Sequence, residues 1–129
     1  MDRPATPPPP ERLQQLQAYT TTRPDICALV PQGARRVLDV GCSNGALGVS
    51  LMHDRPGCLV DGIELDEELA RQAAQRLAHV TRADLDRFDW TSWNPDARYD
   101  CIVFADVLEH LADPARHLVA ARSRLTGGG

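Results

Sequence analysis

The stretch VLDVGCSNG, residues 37–45, decides the fold class of this chain. Its first four residues have the apolar character of a buried strand, and a glycine-rich turn then leads into the helical pattern of residues 46–53. Such a turn lets backbone approach a ligand closely and directs free helix N–H groups at a negative group. The stretch therefore predicts a nucleotide-like ligand, although a tight turn without a ligand stays an alternative.

Strand-like and helical patterns alternate along the rest of the chain. Apolar runs predict strands at residues 37–40, 59–64, 80–83 and 101–105. N-cap signals predict a helix after Asp66 and another after Asp113. Repeated βα units indicate an α/β fold with a parallel sheet, and four parallel strands are half of a doubly wound sheet.

The chain divides into three segments. Residues 1–10 hold five of the ten prolines, so we expect a disordered, solvated leader there. Residues 11–35 should form cap helices, the second of them over residues 25–30. Residues 36–129 should form the core, which stops where a fifth strand would begin.

Several side chains should pack or face solvent without a functional role. The last helix should bury a stripe of three residues, Leu118, Ala121 and Leu125. Three histidines show no spacing that would pair them with another functional residue, so they should be solvated on helix surfaces: His53, His79 and His117. Trp90 and Trp93 should pack within their loop.

Composition excludes several classes of function. The chain has 129 residues and a net charge of −4, which argues against a surface for duplex nucleic acid. All fourteen basic residues are arginines, so lysine Schiff-base chemistry is excluded. The four cysteines form no CxxC pair, and there is no apolar stretch long enough to cross a membrane. These features predict a cytoplasmic protein with free thiols.

Two details of the glycine turn bear on its ligand. A dinucleotide site requires G-x-G-x-x-G, but Ser43 and Ala46 stand at the second and third glycine positions. Asp39 at the strand end would also repel a diphosphate. An NAD site is therefore disfavoured, and a cationic ligand is favoured.

With these residues noted, VLDVGCSNG resembles the first motif of the class I S-adenosylmethionine-dependent methyltransferases, which is typified by VLD-V-G-C-G-x-G. The departure is Ser43 in place of the middle glycine. The resemblance implies that S-adenosyl-L-methionine contacts the turn at Gly41, Ser43 and Gly45. It also implies that Asp39 orients the methionine ammonium, often through water.

Three later segments extend the resemblance in register. Residues 62–66, GIELD, resemble the second motif, in which Glu64 would accept both ribose hydroxyls beside Leu65. Residues 82–85 resemble the adenine-binding segment, in which Asp84 would accept from the adenine amino group and the Leu85 N–H would meet the ring. Asp86 is an alternative to Asp84.

Residues 99–111 resemble the fourth motif and the turn after it, so backbone near Ala105 would receive the methionine end of the cofactor. His110 would remove a proton from the acceptor, with Asp106 and Glu109 as alternatives. A surface turn that touches nothing is the competing interpretation of Glu109 and His110. These three residues also match a divalent-cation pattern of some family members, an alternative that stays open, but no metal site is assigned.

The N-terminal region also resembles the family. Tyr19 and Arg23 lie where similar proteins have a segment that folds over the cofactor, and Arg23 could pair with the methionine carboxylate. Surface placement of both is the alternative.

The resemblance implies a Rossmann-like doubly wound sheet with the order 3-2-1-4, in which strands 5–7 are missing from this chain. The strand at residues 101–105 would then be an open edge, which a second copy or a partner should cover. The expected function is methyl transfer to a small molecule or glycan. The alternatives are a cofactor-binding half-domain without activity of its own and an NAD-binding domain.

Overall fold

The structure, a computed structural model, describes residues 22–127. Within them, four strands form one parallel sheet in the order β3-β2-β1-β4. The strands β1 to β4 comprise Arg36–Val40, Leu59–Glu64, His79–Arg82 and Cys101–Val103. The expected α/β class and strand order are confirmed. The leader and the whole first cap helix, residues 11–19 with Tyr19, lie outside the described residues.

Among residues 22–127, four α-helices connect or flank these strands. Helices α1 to α4 comprise Pro24–Cys27, Ala46–Asp54, Glu67–Ala74 and Pro114–Arg122, and two short 3₁₀ helices comprise Leu85–Arg87 and Leu108–His110. The Asp66 side chain caps α3 by accepting from the Leu69 N–H at 2.9 Å, and Asp113 caps α4 by accepting from the Arg116 N–H at 3.2 Å. Both predicted N-caps are confirmed, and none of the described helices is long and apolar enough to cross a membrane.

The centre of the core is β1, which pairs with β2 on one side and β4 on the other. Its residues Val37, Leu38 and Val40 are completely buried. Val37 packs with α2 and β2 residues on one face of the sheet, whereas Leu38 and Val40 pack with Tyr99 on the other. A strand covered on both faces is largely apolar, and β1 departs from this at Arg36 and at the buried Asp39.

Two predicted elements extended too far toward the C-terminus. The helix α1 ends at Cys27 rather than at Val30, and β4 ends at Val103 rather than at Ala105. Residues 104–107 leave the sheet and turn toward the carboxyl edge of β1, where Val107 contacts the turn after β1. The apolar run CIVFA therefore contains both a strand and the start of a loop.

The inner face of α4 differs from the predicted stripe. Leu118 is 47% exposed, whereas His117 is completely buried and Ala121 is buried. The Trp90 indole N–H donates to His117 Nδ1 at 3.0 Å, which supplies the polar partner that a buried histidine needs. The prediction of a solvated His117 was wrong because this tertiary hydrogen bond has no signal in local spacing. His53 is exposed on a helix as expected, whereas His79 is exposed but lies at the start of β3 rather than on a helix.

The chain after α4 returns to the sheet. Leu125 forms an isolated parallel bridge with Tyr99, just before β4. The Tyr99 N–H donates to the Arg124 carbonyl, and the Thr126 N–H donates to the Tyr99 carbonyl, both at 2.8 Å. Leu125 was expected in the helix stripe but pairs here instead, so residues 124–126 begin to cover the edge beside β4.

Packing of the two tryptophans in their loop is confirmed. Phe88 and Trp90 meet edge to face with ring centroids 5.0 Å apart, and the Trp93 indole N–H donates to Thr81 Oγ1 at 3.0 Å. The buried Arg124 guanidinium donates to the carbonyls of Trp90 and Trp93. The loop between β3 and β4 is thus fixed by side chains of α4 and the segment that follows it.

Burial lowers the pKa of His117 below its ordinary value of 6.5. The unfolded chain therefore binds a proton more readily than the folded chain, and stability should decrease as pH falls below about 6.5. We expect His117→Gln to lower the thermal midpoint at pH 7.5 but to reduce its further fall toward pH 5. Thermal unfolding at both pH values checks this expectation, with the exposed His53→Gln as the matched control. An unchanged pH dependence in His117→Gln would contradict it.

Candidate active site

A cavity of about 340 Å³ opens at the carboxyl edge of the sheet. Every strand of the sheet delivers residues to this edge, where crossover connections diverge and ligands bind in doubly wound folds. The cavity is lined by residues after β1 and around the end of β2, by residues after β3 and β4, and by α3: Gly41, Ile63, Glu64, Leu65, Asp66, Leu69, Asp84, Leu85, Asp86, Asp106, Val107, His110 and Leu111.

The turn after β1 has left-handed backbone at alternate residues. Gly41, Ser43 and Gly45 have φ values of 78°, 55° and 88°. A Cβ atom on Gly41 would also lie 3.0 Å from the Cβ of Val107, so the first position requires glycine for two reasons. The Gly41 N–H donates to the Ile63 carbonyl at 2.8 Å, which joins the turn to β2.

The Glu64 carboxylate connects the glycine turn to the loop after β2. Its Oε1 accepts from the Ser43 N–H at 2.8 Å, and its Oε2 accepts from the Asp66 N–H at 2.9 Å. Each carboxylate oxygen has a further lone pair, so Glu64 can also accept from hydroxyl groups of a ligand. Glu64 therefore shapes the cavity and offers acceptors within it.

Asp39 lies at the carboxyl end of β1 and is 2% exposed. Burial, together with the nearby carboxylates of Glu64 and Asp106, raises the pKa of Asp39 to about 7. Three acidic groups therefore share one end of the site. A bound cation would offset their mutual repulsion and favour the ionised form of Asp39.

The segment after β3 forms a second wall of the cavity. Asp84 accepts from the Asp86 N–H at 3.0 Å and caps the 3₁₀ helix, while Asp86 accepts from the Ala112 N–H at 3.0 Å. Arg116 of α4 donates to the Leu85 and Phe88 carbonyls at 3.1 and 3.0 Å. Asp84 and Asp86 both line the cavity, so both alternatives for the adenine contact remain open.

The segment after β4 forms the wall opposite. Asp106 and His110 line the cavity and Glu109 does not, although His110 and Glu109 are both exposed and Glu109 Oε1 lies 3.5 Å from His110 Nε2. The surface-turn interpretation fits Glu109, whereas His110 is both exposed and part of the cavity lining. Within residues 22–127, no three potential ligands converge in a metal-binding arrangement.

Arg23 reaches the site from the N-terminal side. It forms an ion pair with Asp106 and a second with Asp25, and its backbone has a left-handed φ of 50°. The segment before α1 is therefore attached to the segment after β4. Sequence reasoning placed Arg23 at the site but missed Asp106 as its partner, because the two residues are far apart in the chain.

The cavity brings together seven of the predicted site residues: Gly41, Glu64, Leu65, Asp84, Leu85, Asp106 and His110. Other predicted residues support its walls from behind or beside it: Asp39, Ser43, Gly45, Ala105 and Arg23. The apolar lining residues Leu69, Val107 and Leu111 were not predicted. Their only signal in the sequence is an apolar side chain next to a polar motif residue.

Comparisons with known proteins agree with this architecture. A family model described as "Methyltransferase domain" matches residues 38–129. The chain belongs to this family. An uncharacterized methyltransferase of Mycobacterium bovis is 32% identical over 102 residues, which are 79% of this chain and 51% of that protein. The chain thus spans about half the length of this methyltransferase.

Two solved structures share the fold. The sugar N-methyltransferase KedS8 from Streptoalloteichus superposes with a TM-score of 0.66 at 22% identity, over 100% of this chain and 54% of that one. The N-terminal domain of EvdMO1, solved in the presence of S-adenosylhomocysteine (SAH) and D-fucose, has a TM-score of 0.62 at 23% identity, over 92% and 49% of the two chains.

The raised pKa of Asp39 has a consequence for stability. In the unfolded chain its pKa returns to the ordinary 3.8, so ionisation opposes folding as pH rises from about 4 to about 7. We expect Asp39→Asn to raise the thermal midpoint by several degrees at pH 8 and to have much less effect at pH 4. Thermal unfolding at both pH values tests this, with the exposed Asp54→Asn as control. Equal effects of Asp39→Asn at the two pH values would refute it.

Proposed function

We propose that the chain binds S-adenosylmethionine and carries the cofactor-binding part of a methyltransferase for a small-molecule or glycan acceptor. The position of Glu64 is the single observation that carries this proposal. Its carboxylate lines the cavity between the glycine turn and the loop after β2, with acceptor capacity left for a vicinal diol.

The remaining residues fit the chemical parts of this cofactor. Asp84 offers a carboxylate and Leu85 a backbone amide for the adenine ring, at the wall formed by the 3₁₀ helix. The acidic end around Asp39 and Asp106 favours a ligand that carries an ammonium and a sulfonium. When bound, S-adenosylmethionine supplies a methyl group already activated for transfer. The chain has only to orient the acceptor and, where needed, accept its proton.

His110 is the proposed proton acceptor. It lines the cavity on the wall after β4, and imidazole is suited to proton transfer near neutral pH. Asp106 lines the same wall but is engaged by Arg23, which leaves it a binding and orienting role. Arg23 is accordingly proposed to hold the N-terminal segment against the mouth of the site.

The acceptor class is proposed from the structural neighbours. One structural neighbour is named a sugar N-methyltransferase, and another was solved with D-fucose present. Both support a sugar-like acceptor for this chain.

Two further properties belong to this proposal. The sheet edge at β4, Cys101–Val103, is proposed to pair with a second copy or a partner, since among the described residues β4 pairs with β1 on one side only. A cytoplasmic location is proposed because the four cysteines are free in the described structure. A cofactor-binding unit without activity of its own is the alternative function.

Calorimetric titration with S-adenosylmethionine and SAH tests the cofactor assignment. We expect saturable binding of both ligands, and a loss of at least tenfold in affinity for Glu64→Ala, because two ribose hydroxyls lose a charged acceptor. Glu67→Ala, an exposed acid in the first turn of α3, is the matched control. Binding of NAD in preference to these ligands, or equal affinity of Glu64→Ala and the parent chain, would overturn the assignment.

Formation of SAH in the presence of candidate sugar acceptors tests the role of His110. We expect His110→Gln to lower kcat by about 10²-fold or more with little change in cofactor affinity, since only proton removal is lost. His79→Gln, an exposed histidine at the start of β3, should retain the parent rate. A parent chain that binds cofactor but produces no SAH with any acceptor would favour the alternative function.

A further inference from the structure

Arg55 is a buried cation outside the cavity lining. It follows α2 directly, is 7% exposed, and has no carboxylate partner among residues 22–127. Its Nη2 donates to the backbone carbonyls of Cys27 at 2.9 Å and Val30 at 2.8 Å, while its Nε is buried without a hydrogen-bond partner in the same part of the chain. An apolar side chain would fill this position without burying a charge. The specific contribution of the guanidinium is therefore its two hydrogen bonds to carbonyls.

Both carbonyls belong to residues 22–30, which we call the cap segment. Cys27 is the last residue of α1, where helical carbonyls lack partners within the helix. Arg55 supplies a donor there, and its own N–H donates to the Leu51 carbonyl of α2 at 2.9 Å. Arg55 thus attaches the C-terminal end of the cap segment to α2, the helix that begins at the glycine turn.

The other end of the cap segment reaches the cavity. The Arg23 carbonyl accepts from the N–H groups of Ile26 and Cys27 at 3.1 and 3.0 Å, and the Arg23 side chain forms the ion pair with Asp106. Asp106 lines the cavity. Because α1 has only four residues, a shift of its end at Cys27 would also move Arg23. The position of Arg23 beside Asp106 therefore depends on the bonds that Arg55 makes.

Arg23 and Asp106 together offer a positive and a negative group at one wall of the cavity. The amino-acid chain of S-adenosylmethionine carries both an ammonium and a carboxylate, so an ordered pair of opposite charges is complementary to it. The contacts proposed for the adenosine part lie elsewhere, at Glu64 after β2 and at Asp84 after β3. Displacement of Arg23 should therefore affect binding of the amino-acid chain and not of adenosine.

We infer that Arg55 is a positioning residue, which holds the cap segment so that Arg23 stays beside Asp106 and thereby sets the affinity for the amino-acid chain of the cofactor. The inference rests on the proposed cofactor. Arg55 itself touches no ligand, and its effect passes through the backbone of α1 to Arg23.

Two ligands separate this role from a merely structural one. SAH contains the amino-acid chain, whereas methylthioadenosine has the same adenosine without it. By calorimetry, Arg55→Met should bind SAH about threefold or more weakly, with methylthioadenosine affinity within about twofold of the parent. Arg122→Met, at an exposed arginine in the last turn of α4, is the matched control and should bind both ligands as the parent does. Equal losses for the two ligands in Arg55→Met, or no loss of SAH affinity, would overturn the inference.

A double-mutant cycle tests the route through Arg23. Arg23→Met should show the same preference for methylthioadenosine over SAH. The double variant should bind SAH no more weakly than the more affected single variant, because both substitutions disturb one contact. If the two losses multiply instead, Arg55 acts independently of Arg23 and the inference fails.

Arg55→Lys guards against misfolding of the methionine variant. Its ammonium keeps the positive charge and can donate to the same carbonyls, so SAH affinity should recover toward that of the parent. A lysine variant that folds but binds SAH as weakly as Arg55→Met would contradict the role of these bonds. If the parent chain binds neither ligand, the proposed function itself fails, and this inference with it. If the parent binds SAH but the cycle shows no coupling, only the inference fails.

Discussion

The Glu64 carboxylate is the interaction on which the functional site depends. Parallel pairing of β1 and β2 brings their carboxyl ends to the same edge, and Glu64 then joins the glycine turn to the loop after β2 through two backbone N–H groups. A neutral side chain could not accept both bonds with the strength of an ionised acceptor. The Glu64 carboxylate therefore both shapes the cavity and supplies the proposed contact with the ribose of the cofactor.

Charge at one end of the cavity is the second constraint. Burial at the end of β1, and after it the acidic groups nearby, raise the pKa of Asp39 to about 7. Arg23 offsets part of this negative charge through its ion pair with Asp106. Repulsion between these acidic groups destabilises the free protein, and a cationic ligand bound there would reduce it. The charge at this end of the cavity therefore suits a sulfonium cofactor better than a diphosphate.

Side chains of α4 hold in place the cavity wall that is formed by the segment after β3. Arg116 donates to carbonyls of the segment after β3, and His117 accepts from Trp90 behind it. Asp86 also accepts from the Ala112 N–H, so the wall after β3 is joined to the wall after β4. These contacts make α4 part of the support for the wall that is proposed to hold adenine.

The local sequence determined much of the secondary structure of this protein. The glycine turn, the caps at Asp66 and Asp113, and the strands β1 and β2 depend on residues within a few positions of one another, and they were predicted. The tertiary structure alone decided the burial of His117, the early end of β4, and the pairing of Arg23 with Asp106. Each depends on a partner tens of residues away, so no local pattern records it.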